Sequence, residues 1–473
     1  MSELADLTVA QLLDHYRTRK ASPLEAVDAC LARIDRLEPS VNAVTTLVAD
    51  RCRELAVESG KRWMAGNARP LEGVPFGLKD IIETAGVRTT GGSRLYAHHV
   101  PTETAAVAER LDAAGGLMLA KLQTFELAFG TTTDFGITRN PWDLGTTPGG
   151  SSSGSAAAVA ARMLPLAIGT DTGGSIRIPA SFCAVTGLKP TYGRIPRHGI
   201  MPLSWTLDHA GPMTRTVEDA ALSLAVIAGF DPRDPSSDGP PAGDYSGSLA
   251  GGVKGLRIGI PTDWFFEMCD PPIEAATRQA IATLAESGAQ LVDVALPNAK
   301  LAEPIGWMVM YAECASLHDE TLDRLDEHGK EFREFLVSAQ FVSAADYLKA
   351  LRARRVVQQD FESAFEKVDV LITPGAISVA PRLDDMLSVI GDRGYPWADV
   401  ISRTTFIFNV TGLPALSIPA GLNRDGLPLG IQLVARPFDE ATCMRVGHAF
   451  QQVTDHHLAV PELVRNSLSG RIN

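Results

Sequence analysis

Apolar residues recur at helical spacing from Leu7 to Leu37 (Val9, Leu12 and Leu13, then Leu24, Val27, Leu31 and Ile34), which predicts two helices. Ser22-Pro23 gives the second an N-cap and a proline at its first position. The β-branched run 43–48 predicts a strand, and Asp50 to Met64 returns to helical spacing. Gly73 to Ile82 (GVPFGLKDII) reads as a short apolar strand interrupted by one lysine, Lys79. A helix over Thr102–Ala114, a strand over Gly116–Lys121 and a loop over Phe125–Pro148 with the turn-forming Asn140-Pro141 follow.

The next stretch changes character. Gly149 to Pro179 reads GGSSSGSAAAVAARMLPLAIGTDTGGSIRIP. It predicts a Gly/Ser loop, an alanine-rich helix over Ser155–Met163, a strand over Leu164–Ile168, a turn over Gly169–Gly174 and a helix beginning at Ser175. Beyond Pro190 the chain reads as irregular up to a helix over Thr216–Gly229, and Asp231–Gly255 is a Gly/Pro/Ser/Asp-rich surface loop. Strands over Leu256–Ile260 and Leu291–Leu296 flank a helix over Pro272–Gly288. Residues 299–367 are mostly helical and form a cap-like region, and 1–66 form an N-terminal helical region. Strands over Val368–Pro374, Ala415–Pro419 and Leu429–Ala435 and a helix over Asp439–Val453 close the chain. This alternation predicts an α/β fold, a sheet with helices on both faces.

Composition narrows the function classes. The 473 residues carry a net charge of −13, with 45% hydrophobic and 21% charged residues, as in a soluble globular protein. With no Lys/Arg-rich run, direct nucleic-acid binding is not expected, and no apolar run nears the roughly 20 residues a membrane helix needs. The first residues lack the basic start and apolar core of a signal peptide, and Cys30, Cys52, Cys183, Cys269, Cys314 and Cys443 are scattered without metal spacing. A cytoplasmic protein without a metal site is the expectation.

Phosphate and dinucleotide loops are absent, and the literal G-x-S-x-G at Gly150–Gly154 follows a loop rather than a strand. What remains is two serines in glycine turns, Ser151 and Ser175, and the lysine in the apolar strand. Lys79 reads either as a snorkelling side chain or as a buried, neutral base. Serine needs a base to become a nucleophile, and a lysine whose pKa burial has lowered can serve. A relay from Ser175 through Ser151 to Lys79 gives each residue a role, and the Asp171–Ser175 turn offers backbone N–H groups to an oxyanion.

These residues resemble the amidase signature family. The match runs through Gly149-Gly150-Ser151-Ser152-Ser153-Gly154-Ser155, the small residues Ala156 to Ala160, and Gly169-x-Asp171-x-Gly173-Gly174-Ser175-Ile176-Arg177-x-Pro179. Gly73-Val74-Pro75-Phe76 with Lys79-Asp80, and Gly412-Leu413-Pro414-Ala415 with Gly430-Ile431-Gln432, extend it over nearly the whole chain. The resemblance implies one amidase domain over 1–473, built on a central twisted mixed sheet flanked by helices on both faces. It implies Ser175 as nucleophile, Ser151 (after a cis peptide) as bridge, Lys79 as base, and Thr172, Gly173 and Gly174 as the oxyanion hole. Phe129, Gly130 and Thr131 align with a loop lining the acyl pocket, Ser152 with a hydroxyl supporting the relay, and Arg177 with a carboxylate binder or a brace.

The expected activity is hydrolysis of a linear small-molecule amide through an acyl-enzyme, needing no cofactor or metal. The expected partners are the substrate and a second copy of the chain, without nucleic acid or membrane. The alternatives are a carbamate- or ureido-type hydrolase of the same family, and the glutaminase A subunit of a tRNA-dependent amidotransferase. Gly187–Arg194 resembles that subunit. The run Thr206–Pro212 and the segment Arg403–Val410 look more like free-standing amidases, and Ser402 stands where the subunit carries an acidic residue for the glutamine amino group. A catalytically silent assembly partner is a third reading, disfavoured because all three triad residues are present.

Overall fold

The computed structural model describes residues 2–468, so residues 1 and 469–473 at the ends of the expected domain lie outside the described residues. Its strands are β1 (Val44–Leu47), β2 (Pro75–Lys79), β3 (Leu117–Leu122), β4 (Leu166–Asp171), β5 (Thr186–Lys189), β6 (His209–Thr214), β7 (Arg257–Pro261), β8 (Gln290–Val294), β9 (Val370–Pro374), β10 (Leu387–Ile390), β11 (Arg393–Pro396), β12 (Ala415–Leu422) and β13 (Pro428–Val434). Eleven of them form one mixed sheet in the order β1-β3-β2-β4-β6-β5-β12-β13-β9-β7-β8, and β10 and β11 pair as a separate hairpin. The single α/β domain expected from the sequence is what forms.

β2 lies parallel between β3 and β4, with Leu78 opposite both Lys121 and Ile168. Their C-terminal ends therefore meet, which is where open α/β sheets place their sites. Lys79 ends β2, and Asp171 ends β4. The alanine-rich helix Ser153–Ala160 is buried along its whole length and packs against β4 and the helix Arg177–Cys183. Small side chains let it sit close to the sheet, and the Gly149–Ser152 loop is carried with it.

Two strands break the sequence pattern. β5 and β6 lie within or against the stretch read as irregular, because His209–Thr214 (HAGPMT) holds a glycine and a proline, which strand propensity disfavours. β6 nevertheless runs antiparallel to β4 along its full length, setting His209 opposite Asp171. Tertiary pairing overrides local preference there. Residues 299–367 form the helices Ala302–Leu317, Lys330–Ala339 and Ala344–Lys367, as predicted. Among the described residues no helix is long and apolar enough to cross a membrane.

Candidate active site

The end of β2 carries Lys79 fully inside the protein. Its Nζ lies 2.7 Å from Ser151 Oγ and 2.8 Å from Thr170 Oγ1. Burial pushes the amine down from its ordinary 10.5 to about 7, against the upward pull of the Asp171 and Asp208 carboxylates. Two other lysines are buried in the sheet, but each is committed elsewhere. Lys121 donates to the Ile82 carbonyl and to Thr89 Oγ1, and Lys189 to the Pro190 carbonyl. Of the three, Lys79 alone reaches a serine.

The Gly150–Ser151 peptide is cis. A side chain at Gly150 would place its Cβ 2.0 Å from the Phe125 ring, so only glycine lets the loop present Ser151. Ser151 and Ser175 line the same cavity, of about 380 Å³. Among the described residues no hydrogen bond joins their hydroxyls. The Ser175 carbonyl instead accepts the Ser152 amide at 3.3 Å, which ties the two turns together. A wider open groove of about 1340 Å³ runs along the helix Pro23–Val41 and contains none of these residues.

Asp171 organises the turn that holds Ser175. Its buried carboxylate accepts the Gly174 amide at 2.8 Å, the Ile176 amide at 3.1 Å, two Arg177 nitrogens at 2.9 Å each, and Asn409 Nδ2 at 2.8 Å. Burial alone would raise its pKa; the Arg177 guanidinium and these donors outweigh burial and hold it well below the usual carboxylate range. The turn is closed further by Thr405, whose hydroxyl donates to the Gly173 carbonyl at 2.6 Å. Gly174 sits at φ +133°, and a Cβ there would lie 2.3 Å from Thr405 Oγ1.

This arrangement bears on three expectations. The Gly174 amide is engaged by Asp171 and is not a free donor, which leaves the Thr172, Gly173 and Ser175 amides facing no acceptor among the described residues. Of the two alternatives for Arg177, its contacts are those of a brace: it is fully buried, and its nitrogens serve Asp171, the Thr405 carbonyl, Gln432 Oε1 and Asn409 Oδ1. Ser152 lies behind the cavity wall, its Oγ accepting the Thr170 amide at 3.2 Å and donating to the Thr170 carbonyl at 3.1 Å. A single side chain thus pins the serine loop to β4, beside the threonine that meets Lys79.

Phe129, Gly130 and Thr131 line the cavity. Phe129 stacks on Phe335 with ring centroids 3.8 Å apart and meets Trp307 edge-on at 6.4 Å. The Thr131 amide and hydroxyl both donate to the Glu331 carboxylate, at 2.6 Å each. These contacts clamp the loop to the helices of 299–367, which supply Trp307, Tyr311 and Phe335 to the wall. Trp397, Ile401, Ser402 and Phe406 also line the cavity, with Phe406 edge-on to Trp307 at 5.6 Å. Sequence reasoning missed Thr170, Asp208, Asn409 and the aromatic wall. Asp208 accepts Thr172 Oγ1 at 2.6 Å. The available signal was weak, a lone aspartate beside His209 in a run that carries no motif.

Comparison with known proteins adds family and relatives. The chain is 42% identical over 497 residues to the A subunit of the glutamyl-tRNA(Gln) amidotransferase of Chloroflexus aggregans, covering 98% of this chain and 100% of that protein. Among solved structures it resembles the inhibitor-bound form of a vestigial protein complex described as revealing the origins of an s-triazine catabolic enzyme (TM-score 0.91, 32% identity, 94% of this chain and 98% of that one). It also resembles a bacterial aryl acylamidase of the amidase signature family (TM-score 0.87, 26% identity, 99% of each chain). The first of these overturns the expectation of partners limited to a small-molecule substrate and a second copy of the chain, with no nucleic acid. Full-length relatives at 39–42% identity are named for a tRNA and as one subunit of a larger enzyme. A family model described as Amidase matches residues 25–444, and the chain therefore belongs to the amidase family of enzymes, which cleave amide C–N bonds.

Proposed function

We propose that the chain cleaves its amide through an acyl-enzyme on Ser175, with Ser151 and Lys79 as the proton relay. One observation carries the reading: a fully buried lysine, its pKa pushed down to about 7 by burial, sits 2.7 Å from a serine hydroxyl that opens onto the cavity containing Ser175. Catalytic hydrogen bonds often tighten only once substrate binds, and the relay needs the Ser175–Ser151 contact to form then.

In this scheme Ser175 Oγ attacks the amide carbon while its proton passes to Ser151 Oγ, whose own proton passes to Lys79 Nζ. The carbonyl oxygen becomes an oxyanion facing the Thr172, Gly173 and Ser175 amides; one such donor contributes about 3 kcal/mol to the transition state. The C–N bond breaks as the relay returns the proton to the leaving nitrogen. Water then attacks the Ser175 ester by the same route and the acid leaves. Asp171, Arg177 and Asn409 act as positioning residues for the donors.

Two amides are favoured by different observations. The relatives support the glutamine side chain, with the chain serving as the A subunit of a tRNA-dependent amidotransferase. The cavity supports an apolar acyl group, because its walls are aromatic and Ser402 lines it where an acid would grip a glutamine amino group. Hydrolysis of glutamine and of simple primary amides, with and without the other subunits of such an amidotransferase and its tRNA, separates the two. Glutamine turnover that depends on those partners supports the amidotransferase reading; partner-independent hydrolysis of apolar amides supports the other. Both require Ser175→Ala to abolish turnover, and a Ser175→Ala variant as active as the parent overturns the acyl-enzyme.

A further inference from the structure

The acyl cavity is charged on one side only. Of the residues lining it, Glu331 and Glu334 bring carboxylates, and no lysine or arginine lines it. Glu331 faces the loop it clamps, both of its oxygens accepting from Thr131. A carboxylate oxygen takes more than one hydrogen bond, so lone pairs remain for a second donor. Glu334 follows one turn later on the helix Lys330–Ala339, exposed at the rim with Lys330 Nζ 3.9 Å away. The nearby guanidinium groups are engaged elsewhere: Arg177 lies behind the turn on Asp171, and Arg403 stacks on Trp264, 3.4 Å from the ring centroid, with Glu267 beyond it.

We infer that this cavity selects the acyl group by charge, accepting neutral or ammonium-bearing chains and discriminating against a free carboxylate. The inference rests on the acyl-enzyme reading and specifies its substrate class. A neutral alkyl or aryl chain gains from burial against Phe129, Trp307 and Phe335. An ammonium at the far end of the chain can meet Glu331 or Glu334. A carboxylate there meets the Glu331 charge beside apolar walls, and no lysine or arginine lines the cavity to compensate it. Free glutamine carries both groups, so its ammonium is matched and its carboxylate is not.

The test uses three amides of equal length, pentanamide, 5-aminopentanamide and glutaramic acid, with kcat/KM measured for each. Pentanamide and 5-aminopentanamide should exceed glutaramic acid by about tenfold, and high salt should narrow the gap. Glu334→Lys, at an exposed position, should raise kcat/KM for glutaramic acid and lower it for 5-aminopentanamide. Glu331→Gln should shift the ratio in the same direction while its amide still accepts from Thr131. Turnover of all three at one rate, a preference for glutaramic acid, or a ratio unmoved in both variants overturns the charge selection and leaves the acyl-enzyme standing. No turnover of any amide, with Ser175 never acylated, overturns the hydrolase reading itself and the inference with it.

Discussion

Lys79 illustrates how a residue type becomes a chemical group only in context. A charge inside GVPFGLKDII was visible in the sequence, but its fate was not, since a snorkelling lysine has the same neighbours. The fold decides it by burying the end of β2 between β3 and β4, where the amine's hydrogen-bond partners among the described residues are Ser151 Oγ and Thr170 Oγ1. Burial then favours the neutral amine, the form able to accept a proton. The pH dependence follows from that direction. Below about 7 the amine is protonated and the relay stops, so kcat/KM should fall as pH drops through that value and level off above it. A profile flat across that range, measured with a substrate that does not titrate there, would remove Lys79 as the base. Thr170, the other partner of the amine, was not legible, because nothing marks one threonine in a strand as facing a lysine on the next.

At the scale of elements, the decisive unit is the β4–turn–helix segment Leu166–Cys183. The glycine pattern announced a tight turn, and the sequence placed Asp171 within it. Arg177 was harder to read. An arginine after a nucleophile turn suits a substrate carboxylate equally well, and only the arrival of Asn409, Gln432 and the Thr405 carbonyl from distant parts of the chain shows that its donors are used up. Asp171 and Arg177 form a buried pair, and removing one partner leaves an uncompensated charge. Asp171→Asn should therefore lower unfolding stability by about 3 kcal/mol in urea titrations, with a parallel loss of activity as either the Gly174 or the Ile176 amide faces an NH2 group in place of its acceptor. Unchanged stability would show that the pair does not hold the turn. β6 was missed for a related reason. Its glycine and proline argue against a strand locally, while its partners β4 and β5 are distant in sequence.

Across the whole molecule, the sheet brings together residues from three separate regions. β2 supplies Lys79, the loop before Ser153–Ala160 supplies Ser151, and the turn after β4 supplies Ser175. Their motifs were legible because local geometry demands particular small residues. Most of the cavity wall was not, because beyond Phe129 it is assembled from Trp307, Phe335 and Trp397, apolar side chains whose patterns match any buried helix or loop. That is also why reaction class reads further from this chain than substrate does. Relatives named for a tRNA-dependent enzyme and an apolar cavity with two carboxylates draw the substrate in different directions, yet both rest on the same bond being made at Ser175. The most direct measurement is peptide mapping by mass spectrometry of the acid-quenched enzyme during turnover of a primary amide. The account predicts an acyl adduct on the peptide carrying Ser175, matching the acyl part of the substrate and absent from Ser175→Ala. An adduct on another residue, or the same adduct in Ser175→Ala, would contradict it.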